Sequence, residues 1–205
     1  MDMQTFLIFT MTTFVVVFSP GPAAITAAAQ GAGNGTWRAM LGVLGIAFAN
    51  AVYFALSATG IASLIVASNL LFSIIKWVGV AYLLYLGVTA ITSRGGGLIV
   101  AKGEAGNGPS LFLKGFAVEF ANPKALLYFA AILPQFLDTS RAVLPQILIM
   151  GGVTLLIDLL VYGVYARFGQ AIASSGVKTS VIRWINRTAG SALLFAAFKM
   201  SKTVA

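Results

Sequence analysis

Long apolar runs occupy most of the chain, and most charged residues lie at the borders of these runs. Only 9% of the 205 residues are charged and 59% are hydrophobic, whereas a soluble domain carries about 25% charged residues. A membrane-spanning helix needs about 20 apolar residues. The pattern therefore predicts an all-α integral membrane protein with about six transmembrane helices. The approximate runs are 3–29, 39–66, 70–92, 111–137, 142–170 and 180–201.

Cysteine and histidine are both missing from the chain. The sequence therefore offers no disulfide framework and no thiolate, and it lacks the commonest general base and metal ligand. We expect no metal, no cofactor and no enzymatic activity. The net charge of +8 is not gathered on one basic face, as nucleic-acid binding requires. Nucleic acid is therefore not an expected partner.

The first run has two features of a signal peptide: an apolar stretch at 6–18 and three successive alanines at 27–29 that resemble a cleavage site. A signal peptide also needs a positively charged start, and this chain begins with MDMQ. We therefore expect residues 1–29 to remain as the first span.

Two proline motifs interrupt runs that would otherwise form continuous helices: residues 19–22 (SPGP) in the first run and 122–124 (NPK) in the fourth. Proline lacks the N–H that bonds back one turn, and its ring clashes with that turn. Ser19 and Asn122 are good helix N-caps, and proline suits the first helical position. Each motif therefore predicts the end of one half-helix and the start of another. At membrane depth such breaks lie in protein or in a wet cavity, and transporters bind substrate there.

Each half of the chain has a broken span followed by two unbroken spans. Because three spans leave the chain on the other face, the second half enters from the opposite side. We therefore predict a single transporter domain of two inverted three-helix repeats, about 1–92 and 111–205, with the two breaks meeting near the midplane. Residues 93–110, which include three successive glycines, are typical of a flexible linker.

Lysine and arginine in the loops predict how the chain is oriented. One side collects eight of these residues and should be cytoplasmic, while the other side collects three, so both termini should lie outside. Arg183 and Arg187 interrupt the sixth run, which leaves open a tilted span or an interfacial turn. The eight are Arg38, Arg94, Lys102, Lys114, Arg167, Lys178, Arg183 and Arg187, and the three are Arg141, Lys199 and Lys202.

Each break exposes two kinds of backbone group. The start of the second half-helix has free N–H groups and a positive dipole end, which suit a carboxylate. The end of the first half-helix has free carbonyls, including the one four residues before each proline, which suit an ammonium group. Together they suit a zwitterion such as an amino acid; the alternative is that the prolines only kink the helices for packing. The candidate substrate-binding residues are Ser19, Pro20, Gly21, Pro22, Asn50, Asn122, Pro123 and Lys124.

Four ionisable side chains fall at membrane depth, where a charge is costly and usually faces a cavity and a partner. They are Lys76, Glu119, Lys124 and Asp158. Asp158, among leucines and an isoleucine, is the first candidate for proton coupling or for binding the substrate ammonium. A structural salt bridge to Lys124 is the alternative. Glu119 is a candidate for the same two roles.

Lys76 and Asn50 each have two interpretations. Lys76 contributes a charge to the cavity, or it extends to the membrane interface beside Trp77. Asn50, in the middle of the second run, lines the cavity, or it holds neighbouring helices together.

Five short stretches follow one another in a fixed order along the chain: 18–22 (FSPGP), 76–87 (KWVGVAYLLYLG), 122–126 (NPKAL), 133–136 (LPQF), and Asn186-Arg187 followed by Gly190. Together they resemble the LysE/RhtB family of bacterial amino-acid exporters. The resemblance extends in order over nearly the whole chain. It implies a bacterial inner-membrane protein of five or six spans that exports amino acids such as lysine, arginine, threonine, or homoserine or its lactone. It also implies that the proton motive force drives export.

Two positions depart from the family pattern. Glu119 stands where the family usually has a neutral residue, and Asn50 stands where several members have histidine. Both lie near the expected site, so the resemblance does not identify one substrate. The positions that match recurrent family residues are Pro20, Gly21, Pro22, Lys76, Asn122, Pro123, Lys124 and Asp158.

A secondary amino-acid exporter is the leading functional hypothesis. The alternatives are a passive channel or facilitator for small zwitterionic solutes, and a membrane-embedded enzyme, which the missing histidine and cysteine disfavour. The expected partners are an amino-acid substrate and the lipid bilayer. A homodimer is the oligomer that we consider for this chain.

Overall fold

The computed structural model describes residues 1–59, 69–92, 106–129, 133–138, 140–175 and 179–201. These residues are mostly helical and contain no strand, so the predicted all-α class is confirmed. The elements are α1 (Met3–Phe18), α2 (Pro22–Asn34), α3 (Thr36–Ala58), α4 (Asn69–Thr92), α5 (Gly108–Phe120), α6 (Pro123–Leu127), a 3-10 turn (Leu133–Phe136), α7 (Val143–Ser174) and α8 (Thr179–Ser201).

Two of the described helices are long and apolar enough to cross a membrane alone. α3 and α7 have 23 and 32 residues, each of which adds about 1.5 Å of length. α1 and α2 qualify as a third span if they are taken together, with a bend of 59° at the break between them. The predicted arrangement of six spans as two inverted repeats stays a prediction.

The first break differs from the predicted one in its capping residue. α1 ends at Phe18, and the Ser19 N–H donates to the Val15 carbonyl at 3.0 Å, so Ser19 is the C-cap of α1. Gly21 is the N-cap of α2, and Pro22 takes the first helical position. Because a proline disfavours helical backbone at the residue before it, Gly21 is extended, with φ −165° and ψ −172°. The predicted N-cap role of Ser19 is therefore wrong.

The second break has the predicted capping. Asn122 is the N-cap of α6, and its side-chain Oδ1 accepts the Lys124 N–H at 3.0 Å. Pro123 takes the first helical position, where its missing N–H has no consequence. The predicted cap at Asn122 is confirmed.

Glycines bring two pairs of helices into backbone contact. A Cβ atom on Gly45 would overlap the backbone of α5, and one on Gly115 would overlap the backbone of α3. In the same way, Gly31 and Gly169 let α2 and α7 touch. Small residues permit this approach in membrane proteins, where packing rather than hydrophobic burial drives helix association. The half-helices α2 and α5 are thereby fixed against the two long helices.

Four segments meet at one end of the bundle, which we call the linker end. The Arg38 guanidinium donates to the Gly106 carbonyl at 2.9 Å, and the Gly106 N–H donates to Asn34 Oδ1 at 2.9 Å. The Thr36 N–H donates to Gln170 Oε1 at 2.6 Å. The end of α2, the start of α3, the approach to α5 and the last turns of α7 therefore lie together.

The start of α1 lies at the opposite end, beside the segment that precedes α7. The rings of Phe9 and Phe136 meet edge to face with centroids 5.4 Å apart. Gln146 Oε1 accepts the Asp138 N–H at 3.0 Å, which ties this segment to the first turn of α7. Hydrogen bonds from Ser140 hold the pKa of the exposed Asp138 carboxyl below its ordinary value.

α4 and α8 pack chiefly on each other. A Cβ atom on Gly87 would overlap the Leu194 side chain and come close to the Gly190 carbonyl. This glycine therefore sets the distance between the two helices. Lys76 lies in α4, and its side chain is outside the described residues. Of the predicted linker 93–110, residues 93–105 are also outside them, whereas residues 108–110 form the first turn of α5 and not a flexible linker.

Candidate functional site

The ammonium group of Lys124 joins the two breaks. Its Nζ donates to the carbonyls of Val16 and Ser19, each at 2.9 Å. Val16 precedes Pro20 by four residues, so its carbonyl lacks the N–H that a continuous helix would supply. Such a carbonyl was predicted to bind a substrate ammonium, and in this conformation Lys124 binds it instead. The two breaks lie in contact, and the freed carbonyl is already occupied.

Lys124 also lies beside the start of α2. A Cβ atom on Gly21 would be 3.5 Å from the Lys124 Nζ. The first helical hydrogen bond of α2 runs from the Ile25 N–H to the Gly21 carbonyl, and no side chain caps this end. The N–H groups of Ala23 and Ala24 therefore have no helical acceptor. A cationic side chain and a helix N-terminus occupy one place, and both favour a carboxylate.

Glu119 is held by its own break. It lies near the end of α5 with 3% of its surface exposed, and its Oε2 accepts the Asn122 side-chain N–H at 2.8 Å. Asn122 thus uses its oxygen to cap α6 and its nitrogen to bind the carboxyl group. A titratable group is fixed at the second break by a neutral donor.

Asp158 is fully buried on α7. Its Oδ2 accepts the Asn50 side-chain N–H at 2.8 Å. Among the described residues, Asp158 Oδ1, Asn50 Oδ1 and Thr154 Oγ1 are buried without a hydrogen-bond partner. Buried polar atoms are nearly always paired. Asn50 and Thr154 belong to the wall of one cavity, so a donor group that enters it would satisfy their oxygens.

The predicted alternative of a salt bridge between Lys124 and Asp158 is not found. In the part of the chain that the structure describes, the only ion pair within 4.0 Å joins Arg141 and Asp138 at 3.2 Å, at the exposed end. Lys124 binds the carbonyls at the end of α1, and Asp158 binds an amide. The Lys124 ammonium is therefore satisfied by the Val16 and Ser19 carbonyls rather than by a carboxylate.

A cavity of about 20 Å³ lies among these groups. This volume suits about one water molecule and is too small for an amino acid. In this structure the cavity therefore has no room for a substrate. Polar or ionisable residues of its wall are Thr13, Asn50, Glu119, Lys124, Tyr128, Thr154 and Tyr162.

Two tyrosine hydroxyls bind free carbonyls at the ends of the first half-helices, α1 and α5. The Tyr53 hydroxyl, on α3, donates to the Phe120 carbonyl at the end of α5 at 2.7 Å. The Tyr165 hydroxyl, on α7, donates to the Phe18 carbonyl at the end of α1 at 2.9 Å. Each predicted half of the chain thus supplies the hydroxyl that satisfies the broken helix of the other half.

The family model of the LysE type translocator matches residues 14–202 of this sequence. The chain belongs to the LysE type translocator family. The resemblance inferred from the proline motifs is confirmed.

Relatives of this LysE family member come from several bacteria. An "Uncharacterized membrane protein" of Vibrio cholerae is 30% identical over 87% of this chain and 89% of its own length. A "Homoserine/homoserine lactone efflux protein" of Salmonella typhimurium is 28% identical over 93% of both chains. A "Leucine efflux protein" of an Enterobacter species is 29% identical over 81% of this chain and 79% of its own. No solved structure matches significantly.

Family membership and the apolar helices place the chain in the bacterial inner membrane as a multi-pass protein. The family description and the efflux names of the relatives indicate transport rather than catalysis.

Sequence reasoning missed four polar residues of the cavity wall and two tyrosines at the broken helix ends. They are Thr13, Tyr128, Thr154 and Tyr162, and Tyr53 and Tyr165. Thr154 lies one turn before Asp158 on the same face of α7, so the four-residue spacing was the available signal. The tyrosines gave a weaker signal: a tyrosine hydroxyl within an apolar span needs an acceptor, and helix breaks offer free carbonyls.

Proposed function

We propose that this LysE family member is a secondary transporter that exports an amino acid or a close derivative across the inner membrane. Relatives named for homoserine and leucine efflux support amino-acid substrates. The observation that carries the proposal is that one cavity wall holds both the Lys124 ammonium, which lies beside the start of α2, and the unpaired oxygens of Asn50 and Thr154.

A zwitterion matches both parts of this place. Its carboxylate would lie at the start of α2, where the Ala23 and Ala24 N–H groups and the Lys124 ammonium favour negative charge. Its ammonium would donate to Asp158 Oδ1 and to the free oxygens of Asn50 and Thr154. The pairing would relieve the cost of leaving those oxygens unsatisfied. Ser19, Pro20, Gly21, Pro22, Asn122 and Pro123 would shape the site through their backbone.

Proton coupling follows from competition for the same oxygens. Asp158 accepts either a proton or a substrate ammonium, and binding one disfavours binding the other. On the cytoplasmic side a substrate would displace the proton, and on the outer side a proton would displace the substrate. The proton motive force would thereby drive export, with Glu119 as the second candidate proton carrier.

Alternating access fits the two predicted inverted repeats, 1–92 and 111–205. The reciprocal bonds of Tyr53 and Tyr165 support this symmetry, and so do the contacts of α3 with α7 and of α4 with α8, since each pair joins equivalent spans. Transporters with inverted repeats rock one part against another around a fixed site at the midplane. A homodimer and specific lipid contacts stay predictions.

The direct experiment is transport in proteoliposomes that contain the purified protein, with a panel of radiolabelled amino acids and an imposed pH gradient. We expect at least one amino acid to accumulate against its concentration gradient, in the direction opposite to proton flow. A passive facilitator would only equalise the amino-acid concentrations on the two sides. Uptake that does not depend on the pH gradient would therefore support the passive alternative.

A further inference from the structure

An apolar crevice opens beside the candidate site, between α3 and α7. Its volume is about 470 Å³, and its walls run from Ala58 and Leu144 inward to Asn50 and Thr154. None of the described residues that line it is ionisable, and only those two inner residues are polar. The crevice is therefore apolar along its length and polar at its inner end.

Asn50 and Thr154 belong to the walls of both the crevice and the small central cavity. They also carry two of the three unpaired acceptor oxygens. In an amino acid the ammonium nitrogen is bonded directly to the Cα atom. If these oxygens bind the ammonium group, the Cα atom therefore lies at the boundary between the cavity and the crevice. The side chain on that Cα atom then has the crevice beside it.

We propose that this crevice receives the substrate side chain and that the transporter selects neutral amino acids with aliphatic or aromatic side chains. This inference rests on the proposed function. A charged side chain would lose its hydration without meeting an opposite charge in the crevice. An apolar side chain gains by leaving water, and one methylene in such a pocket changes selectivity by roughly tenfold or more.

A second apolar crevice on the surface of α1 and α7 provides a matched control. It has a volume of about 380 Å³, and Val164 lies in its wall, as do Phe18 and Tyr165, whose hydrogen bond caps α1. None of its described lining residues contributes to the central cavity. Because this crevice does not reach the unpaired oxygens of Asn50 and Thr154, filling it at Val164 should leave substrate choice unchanged.

Gly152 and Ala51 allow the crevice to be filled from both walls. A Cβ atom at Gly152 meets nothing within 4 Å among the described atoms, and Ala51 lies in the opposite wall. Gly152→Phe and Ala51→Leu should therefore fold while they reduce the space. Val164→Phe makes the equivalent change in the control crevice.

The test measures amino-acid exchange in proteoliposomes that contain the unchanged protein or one of the variants. The substrates are alanine, leucine, phenylalanine, lysine and glutamate. We expect the unchanged protein to prefer leucine over alanine by about tenfold or more, and to exchange lysine and glutamate poorly. Gly152→Phe and Ala51→Leu should each lower leucine and phenylalanine exchange at least about tenfold while alanine exchange persists. Val164→Phe should keep the original preference.

The other outcomes separate the two proposals. If the unchanged protein exchanges several amino acids without an aliphatic preference, or if the filled variants lose all substrates equally, the side-chain assignment is overturned while amino-acid transport stands. If the filled variants keep the original selectivity, the crevice belongs to lipid and the assignment is again overturned. If no amino acid is exchanged, the proposed function itself fails.

Discussion

The Lys124 ammonium lies 2.9 Å from the Val16 carbonyl, which is the carbonyl that Pro20 deprives of its helical donor. A residue of the second break therefore satisfies a defect in the first. This contact also places a positive charge beside the start of α2. Opening of the site would require either the lysine or the end of α1 to move.

Replacing Lys124 with methionine should lower efflux at least about tenfold, since each hydrogen bond to a charged group contributes about 1.5–3 kcal/mol. The Val16 and Ser19 carbonyls would lose their donor, and the proposed carboxylate site would lose its cation. Efflux from preloaded proteoliposomes measures the loss, and size-exclusion chromatography checks folding. The control is Lys114→Met, at a surface position of α5 away from the breaks. Equal efflux by both variants would remove Lys124 from the site.

Pro20→Ala and Pro22→Ala should differ in effect. Alanine at 20 supplies an N–H that can reach the Val16 carbonyl and displace Lys124, whereas alanine at 22 changes the first position of α2, where proline forms no bond. We expect efflux to fall more for Pro20→Ala, and most for the double variant, while all insert normally. If the double variant shows wild-type efflux, the motif at residues 19–22 only bends the helix for packing and does not form a substrate site.

Gly45→Val should destabilise the packed bundle, because its side chain would overlap the backbone of α5. Overpacking costs about 1–3 kcal/mol or more, and here the obstacle is backbone. Thermal unfolding in detergent measures the effect. Gly152→Ala is the matched control, since its new methyl group meets nothing within 4 Å among the described atoms. Equal melting temperatures would contradict the observed contact between α3 and α5.

The orientation of the chain can be read by labelling single cysteines, because the parent sequence has none. Gly96→Cys lies in the predicted cytoplasmic linker, and Ser140→Cys lies at the opposite end. In intact cells, a membrane-impermeant thiol reagent should label only Ser140→Cys. Labelling of Gly96→Cys alone would reverse the orientation.

The helix breaks were predictable from the sequence because proline acts on its immediate neighbours. Pro123 with Asn122 gave the position and the cap of α6. At the first break, two prolines compete, and the local rule for Pro20 did not show that Gly21 and Pro22 would start α2. A rule for one proline does not include the effect of the next.

The partners of the buried charges were not predictable in the same way. The sequence indicated that Lys124 and Asp158 would each need a partner, and it suggested that they pair with each other. The structure gives Lys124 two carbonyls and Asp158 an amide, from residues about 108 positions away in each case. Such contacts depend on how the helices pack. A single sequence does not show which residues from distant helices come into contact.

The role of Asp158 is tested most directly by Asp158→Asn, which keeps the size and polarity of the side chain but cannot bind or release a proton. The measurement compares export driven by a pH gradient with exchange of substrate down its own gradient, in the same proteoliposomes. We expect gradient-driven export to be lost and exchange to persist. A purely structural role would instead give a poorly assembled variant that loses both activities and elutes abnormally in size-exclusion chromatography. Full gradient-driven export by Asp158→Asn would contradict the proposed coupling at Asp158 and leave Glu119 as the acidic candidate.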